Sequence, residues 1–305
     1  MSTPPLKIGV IGAGVFGNYH ASKCAAHPRH EFIGIFDTDP ERVREAAKKH
    51  KTRAFDNYNR LLSGVDAIIV ACPAIHHGRI SVAALRAGRH VLVEKPIAAD
   101  LETARTMIQL ADERDLILQV GHQERFVAKA IGLNKAPEKP IAIHSLRYGT
   151  RSVRGTDVSV TLDLMTHDLD MVMWLMGETP QRVVGGSQSV YSLAPDKAQA
   201  DLEFSNGCKA HFEASRAEPA QKRITHITYP SGELIIDFVN KTFENSTGFD
   251  FDADFSDNPI ASDSLGAATD AFTRSILDDE PIAVPGRAGL NALEMALHID
   301  GANSV

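Results

Sequence analysis

Three short stretches of this chain carry residue types at spacings that could do chemistry. Gly12-Ala13-Gly14-Val15-Phe16-Gly17 follows the apolar run Ile8–Ile11 without a gap. Glycines so spaced allow a tight turn, a close approach of backbone to a diphosphate, and close packing of the next helix, whose first amides then face the phosphates. Glu94-Lys95-Pro96 ends another apolar run, His90–Val93, and sets a carboxylate and an ammonium where open α/β sheets bind ligands, at the carboxyl ends of strands. Asp163 and His167 stand four apart, so on a helix they share one face, where the carboxylate can orient the imidazole and stabilise its protonated form. The first stretch points to a dinucleotide and the other two to proton transfer; none of them decides the chemistry alone.

The elements that must hold these stretches fall into two textures. Short continuous apolar runs, Lys7–Ile11, Glu31–Phe36, Ala67–Ala71, His90–Val93 and Leu116–Val120, alternate with helical segments. Strands that are apolar throughout are those covered on both faces of a parallel sheet, with helices as the crossovers. The second run ends at Asp37, whose carboxylate can accept hydrogen bonds from an adenosine ribose and would repel a 2′-phosphate, which predicts NAD rather than NADP. Beyond Gly121, a helix over Thr161–Met176 is followed by Arg182–Ser192, Ala198–Phe204, Lys209–Ser215, Arg223–Tyr229 and Glu233–Phe238, separated by Pro, Gly, Asn and Ser. Closely spaced strands with such turns predict a largely antiparallel sheet, and helix returns from about Ser264. The expected fold is α/β: a Rossmann-type doubly wound parallel sheet over residues 1–121, then an α+β domain with a largely antiparallel open sheet over residues 122–305.

Composition narrows the partners. With 32 Lys and Arg against 39 Asp and Glu, the net charge of −7 argues against nucleic acid and anionic membrane and favours a small molecule. Cys24, Cys72 and Cys208 are far apart and form neither a disulfide framework nor a cysteine metal site, and no signal peptide or spanning segment is recognisable, which predicts a cytoplasmic protein. His76 and His77, being adjacent, are poorly placed to chelate one ion. The Asp/His/Asp grouping around His167 is, on spacing alone, as compatible with a helix-stabilising pair or a metal site as with catalysis.

A strand ending in Glu94-Lys95-Pro96 downstream of GxGxxG resembles the glucose–fructose oxidoreductase, inositol dehydrogenase and rhizopine-catabolism family (Gfo/Idh/MocA), and the resemblance spans nearly the whole chain. It implies that Lys95 contacts substrate and cofactor and that Glu94 lies near the nicotinamide ribose; Pro96, as a proline, stiffens their turn. Ala71-Cys72-Pro73-Ala74-Ile75-His76-His77 resembles the family's TPNxxH segment, with Cys72 for Thr and Ala74 for Asn; this implies that Cys72 and Pro73 line the cofactor and that His77 holds the loop. The Asp163/His167 pair matches the family's D-x-x-x-H, which implies catalysis rather than a metal, with His167 as acid/base and Asp168 and Asp170 as caps or bridges.

Gly121-His122-Gln123-Glu124-Arg125-Phe126, with Asp163–Asp170, resembles the branch acting on UDP-N-acetylhexosamines, including UDP-N-acetylglucosamine 3-dehydrogenases. His122 and Arg125, with Arg147, Arg151 and Arg154 ahead of the helix, are the candidates for the substrate, because arginine forks suit a diphosphate. The expected reaction is NAD-dependent oxidation of a sugar secondary hydroxyl. A polyol or free-sugar dehydrogenase, a glycosidase that keeps its NAD, and a non-catalytic NAD-binding regulator are the alternatives. Alternating apolar residues over Arg223–Phe238 predict a subunit interface and a homo-oligomer, a dimer or tetramer.

Overall fold

The structure, a computed structural model, describes residues 4–151 and 157–301. It divides into two units, Met1–His122 with Leu265–Leu290, and Gln123–Ser264 with Asn291–Val305. A single boundary at residue 121 therefore misses a return of the chain. The helix Ser264–Leu277 buries Phe272 in the same core as Ile8, Val10 and Ile35. The Gln119 side chain donates to the Ala268 carbonyl at 2.8 Å, Arg29 grips Asp278 through two bonds of 2.7 and 2.8 Å, and the Val120 amide donates to Val284 at 2.9 Å.

In the first unit, strands β1 (Leu6–Ile11), β2 (His30–Phe36), β3 (Arg53–Phe55), β4 (Ala67–Val70), β5 (His90–Val93) and β6 (Leu118–Val120) form one sheet in the order β3-β2-β1-β4-β5-β6. Every pairing is parallel. The order reverses beside β1, and a ligand crevice in such sheets opens outside the carboxyl ends of the strands at that reversal. β4 is buried along its whole length and β5 from Val91 onward, as continuous hydrophobicity requires. The three-residue β3 was not anticipated; it is too short to show a pattern.

The second unit holds β7 (Ala142–Tyr148), β8 (Arg182–Gln188), β9 (Lys197–Glu203), β10 (Lys209–Ser215), β11 (Lys222–Tyr229), β12 (Gly232–Asp237) and β13 (Thr242–Asn245) in the order β13-β12-β11-β7-β10-β9-β8. All pairs are antiparallel except β7 with β10. The covered face carries Ile143, Phe212, Ile227 and Leu234, and the segment Thr161–Met165 packs against β10. Strand alternation sends His144, Tyr148, His211, Glu213 and His226 to the opposite, open face. The expected interface over Arg223–Phe238 is corrected by this register. Ile227, Tyr229, Leu234 and Ile236 are buried in the unit's own core, and only Ile224 and Ile235 reach the open face. No helix among the described residues is long and apolar enough to cross a membrane.

Candidate active site

Parallel pairing puts the turns after β1, β2, β4, β5 and β6 at one sheet edge, and these turns contain the sequence candidates of the first unit. The glycines of the first turn have different reasons for being glycine. Gly12 has φ +106°, and a Cβ there would meet the Ala71 carbonyl; a Cβ on Gly17 would strike the carbonyl oxygen of Gly12. Both are demanded by the polypeptide itself. Gly14 has φ −67°, open to any residue, and a Cβ there would meet nothing within 4 Å. No protein atom demands it, so its bareness leaves room for something outside the chain. The helix Val15–Ala26 starts at this point with no side-chain cap and no acidic residue in its first turn, so its leading amides are free of an anionic competitor. Val15 and Phe16 are exposed there. These features fit a dinucleotide's pyrophosphate.

Asp37 follows β2, and its Oδ2 accepts the Ala13 amide at 2.6 Å while Oδ1 accepts the Asp39 amide at 2.9 Å. The glycine turn therefore orients the carboxylate expected to meet a ribose. Arg42, which sequence reasoning did not single out, lies 3.4 Å from Asp37 and 3.3 Å from Asp39.

The turns after β4 and β5 are tied together by His77. Its Nδ1 lies 2.7 Å from the Pro96 carbonyl and its Nε2 2.9 Å from the Cys72 carbonyl. Burial holds this imidazole below its ordinary pKa against the pull of both carbonyls. Burial also pushes the Cys72 thiol up to about 12, which keeps it a neutral thiol rather than a nucleophile. Pro73 is exposed beside it, and the Lys95–Pro96 bond is cis.

Glu94 is buried, with Oε1 2.7 Å from Nε2 of His20. Burial raises its pKa, but the His20 hydrogen bond and charge, with Lys95, outweigh that and leave it below the usual carboxylate range. His20, on the helix Val15–Ala26 and fully buried, is a residue that sequence reasoning missed; 74 residues separate it from its partner, and no local pattern marks it. A Cβ on Gly121 would come within 3.0 Å of the Glu94 carboxylate, which explains the glycine after β6. Lys95 is half-buried, and His122, just after Gly121, is buried.

In the second unit the expected single helix over Thr161–Met176 is two elements. Thr161–Met165 is a π-helical turn, closed by the Thr166 amide on the Thr161 carbonyl, and an α-helix runs over Thr166–Met176. Such turns carry one residue more per hydrogen-bonded loop and are frequent at functional sites. Asp163 lies in the π-turn and His167 in the α-helix, both half-buried. The turn is anchored by Asp300, whose carboxylate accepts the Ser159 hydroxyl at 2.5 Å and the Thr161 hydroxyl at 2.7 Å.

Two arginines expected at a diphosphate are instead spent on holding this helix. Arg147 is buried, donating to Asp168 at 2.7 and 2.8 Å and to Glu124 at 3.0 Å. Burial disfavours its charge, but the two carboxylates outweigh it and raise the pKa further. Arg125 grips Asp170 through two bonds of 2.6 Å and lies over the Trp174 ring. Asp168 and Asp170 are thus bridges. Arg151 is exposed, its guanidinium 5.1 Å from the Tyr191 ring centroid, and Arg154 lies outside the described residues. Arg216 was also missed: buried, it bonds Asp196 at 3.0 Å and the carbonyls of Val158 and Pro195 at 3.0 and 3.1 Å, fastening the approach to the π-turn.

Residues 6–122 match the family described as "Oxidoreductase family, NAD-binding Rossmann fold", and residues 144–234 match "GFO/IDH/MocA C-terminal domain". The chain is 32% identical over 302 residues to a UDP-N-acetylglucosamine 3-dehydrogenase of Acidithiobacillus ferrooxidans, covering 96% of each protein. The chain belongs to the GFO/IDH/MocA oxidoreductase family. A solved structure of that dehydrogenase superposes with a TM-score of 0.89 at 31% identity, covering 98% of this chain and 99% of that one. A myo-inositol 2-dehydrogenase of Thermotoga maritima is 26% identical, covering 94% of this chain and 93% of that protein. As a GFO/IDH/MocA member the protein is an NAD-binding oxidoreductase acting on CH–OH groups.

Proposed function

We propose that this protein oxidises a secondary hydroxyl of a UDP-linked N-acetylhexosamine, most specifically C3 of UDP-N-acetylglucosamine, with NAD as the acceptor. The observation that carries the substrate class is the 32% identity across 96% of both chains with a protein named for that activity. The reaction class is supported by Lys95, Asp163 and His167 being present together. When bound, the nicotinamide supplies a hydride acceptor. His167 takes the hydroxyl proton, Asp163 stabilises the imidazolium, and Lys95 stabilises the negative charge that develops on oxygen. His122 belongs to the substrate side of the same reading. With Arg125 and Arg147 committed to carboxylates, the diphosphate falls to Arg151, with Arg154 as its neighbour in sequence.

The reading of NAD over NADP rests on the Asp37 carboxylate, which the Ala13 amide holds and whose charge would repel a 2′-phosphate. Arg42 works against that preference by placing a cation 3.4 Å away. Assembly as a homo-oligomer is part of the same reading, and sedimentation at micromolar concentration tests it; a stable monomer rules it out.

The deciding experiment compares NADH formation from UDP-N-acetylglucosamine, N-acetylglucosamine and myo-inositol under matched conditions. Turnover of the nucleotide sugar alone is expected. An inert nucleotide sugar beside a reactive uncharged compound sinks the diphosphate reading and leaves a polyol or free-sugar dehydrogenase. Arg151→Ala should raise KM for the nucleotide sugar with little change in kcat.

A further inference from the structure

The open face of the seven-stranded sheet carries a cluster that the proposed reaction does not use. Parallel register pairs His211 of β10 with His144 of β7, and antiparallel register pairs His144 with His226 of β11 and His211 with Asp201 of β9. Four strands thus set Asp201, His211, His144 and His226 in one row. Glu213, two residues beyond His211 on the same face, reaches back between two of the rings. Its Oε1 lies 3.4 Å from Nε2 of His144 and 3.5 Å from Nε2 of His211. Its Oε2 accepts the Tyr148 hydroxyl at 2.7 Å, which aims Oε1 at the histidines. The His144 and His211 rings stand edge to face, with centroids 5.0 Å apart.

These separations have the dimensions of a metal site. Zinc–nitrogen and zinc–oxygen bonds of about 2.0–2.1 Å in a tetrahedron require ligand atoms about 3.4 Å apart. Two of the three ligand pairs already stand at that spacing, and one ligand atom from each of His144, His211 and Glu213 lies within 4.8 Å of the others. Nδ1 of His211 is 2.8 Å from Oδ1 of Asp201. Donation of that N–H to the carboxylate leaves Nε2 as a lone-pair donor, which is how carboxylates commonly orient metal-binding imidazoles. We propose that His144, His211 and Glu213 form a binding site for a borderline divalent cation of the zinc class, with Asp201 as a positioning residue and the fourth coordination place open to water or to a second chain. Two imidazoles and one carboxylate favour such an ion over magnesium or calcium, which take oxygen ligands. The site lies on the face opposite the Arg147 network and is separate from the proposed chemistry.

The test uses the full chain, stripped with chelator and dialysed, and titrated with zinc ion alone by calorimetry. One ion per chain is expected, with a rise in melting temperature, because a ligand that binds only the folded state stabilises it. His144→Ala, His211→Ala and Glu213→Gln should each weaken binding by at least about tenfold and abolish the thermal shift, while Asp201→Asn weakens binding to a smaller extent. Cobalt ion in place of zinc should give a tetrahedral visible spectrum that the His211→Ala protein lacks. NAD binding by the metal-free variants should match that of the metal-free parent, which confirms that they are folded. Failure of the parent to bind zinc, or equal binding by parent and folded variants, overturns the proposal and leaves the substrate reading untouched.

Discussion

The two units place their candidate residues by different physical means. In the first, Gly12, Asp37, Cys72, Lys95 and His122 each follow a strand, and parallel pairing alone brings those strand ends to one edge. In the second, Asp163 lies in and His167 just after a π-turn whose position depends on Asp300, 141 residues from Ser159, and on buried ion pairs of Arg147 and Arg125 with the α-helix. The first arrangement is mostly backbone and apolar packing, with the buried pair of Glu94 and His20 as its exception. The second is a network of desolvated charges, in which removing one partner strands another. A site assembled by topology should tolerate loss of a polar side chain; one assembled by buried pairs should not.

The largest effect tests the chemistry assigned to both units. Lys95→Ala and His167→Ala should each lower turnover by about a thousandfold, since general acid–base and electrostatic groups supply factors of that order, while NAD affinity stays close to that of the parent. Binding measured by quenching or calorimetry separates the two quantities. Full turnover in a folded His167→Ala protein removes it from the mechanism.

Next in size is the buried network itself. Arg147→Met should cost about 3–5 kcal/mol of unfolding free energy by leaving Asp168 without its two-bonded partner and Glu124 with only Arg223, 4.0 Å away, whereas Arg147→Met with Asp168→Leu should recover part of that loss. Denaturant titration measures both; equal losses would mean that desolvated charge is not what distinguishes this unit.

Within the first unit, Gly17→Ala and Gly14→Ala should part company. Gly17→Ala drives a methyl group into the Gly12 carbonyl and should cost about 1–3 kcal/mol of stability. Gly14→Ala meets no protein atom and should leave melting unchanged while weakening NAD binding. Melting curves with and without NAD decide this, and a destabilised Gly14→Ala protein would contradict the reading of its open space. At the neighbouring turn, Asp37→Ser should narrow the preference for NAD over NADP by about tenfold, and Arg42→Ala should widen it; kcat/KM for the two cofactors reports both.

The smallest expected effect is a pH dependence in the first unit. His30 is pushed down to about 4, by burial first and by His27 stacked on it second. The unfolded chain therefore binds a proton that the folded chain refuses between pH 6.5 and about 4. The stability conferred by the neutral ring is complete above pH 6.5 and declines as pH falls through that window, by about 1–2 kcal/mol after allowance for its partial exposure. His30→Gln should flatten that slope in thermal melts; an unchanged slope would place the acid sensitivity elsewhere.

Much of the first unit is legible along the chain because its signals are local. Strand, glycine turn and terminal acid adjoin one another, and continuous apolar runs can only be buried strands. β7 shows the opposite case. Its buried positions are Ile143, Ser145 and Arg147, so the residues facing the core are mostly polar and the alternation that announces a half-buried strand is absent. The same cause misassigned Arg147 and Arg125, because an arginine gripped by buried carboxylates and one awaiting a diphosphate look alike in sequence.

The sequence by itself determined the two-part α/β architecture, the family, the dinucleotide turn and the residue types available for proton transfer. All of these depend on order and spacing within short windows. Only the tertiary structure decided which charges are spent internally, that Ser264–Leu277 returns to the first unit, that a π-turn carries Asp163, and that His144, His211 and Glu213 meet. Those outcomes depend on strand register and on partners up to hundreds of residues away, where the sign of a charge is visible in sequence but the identity of its neighbour is not.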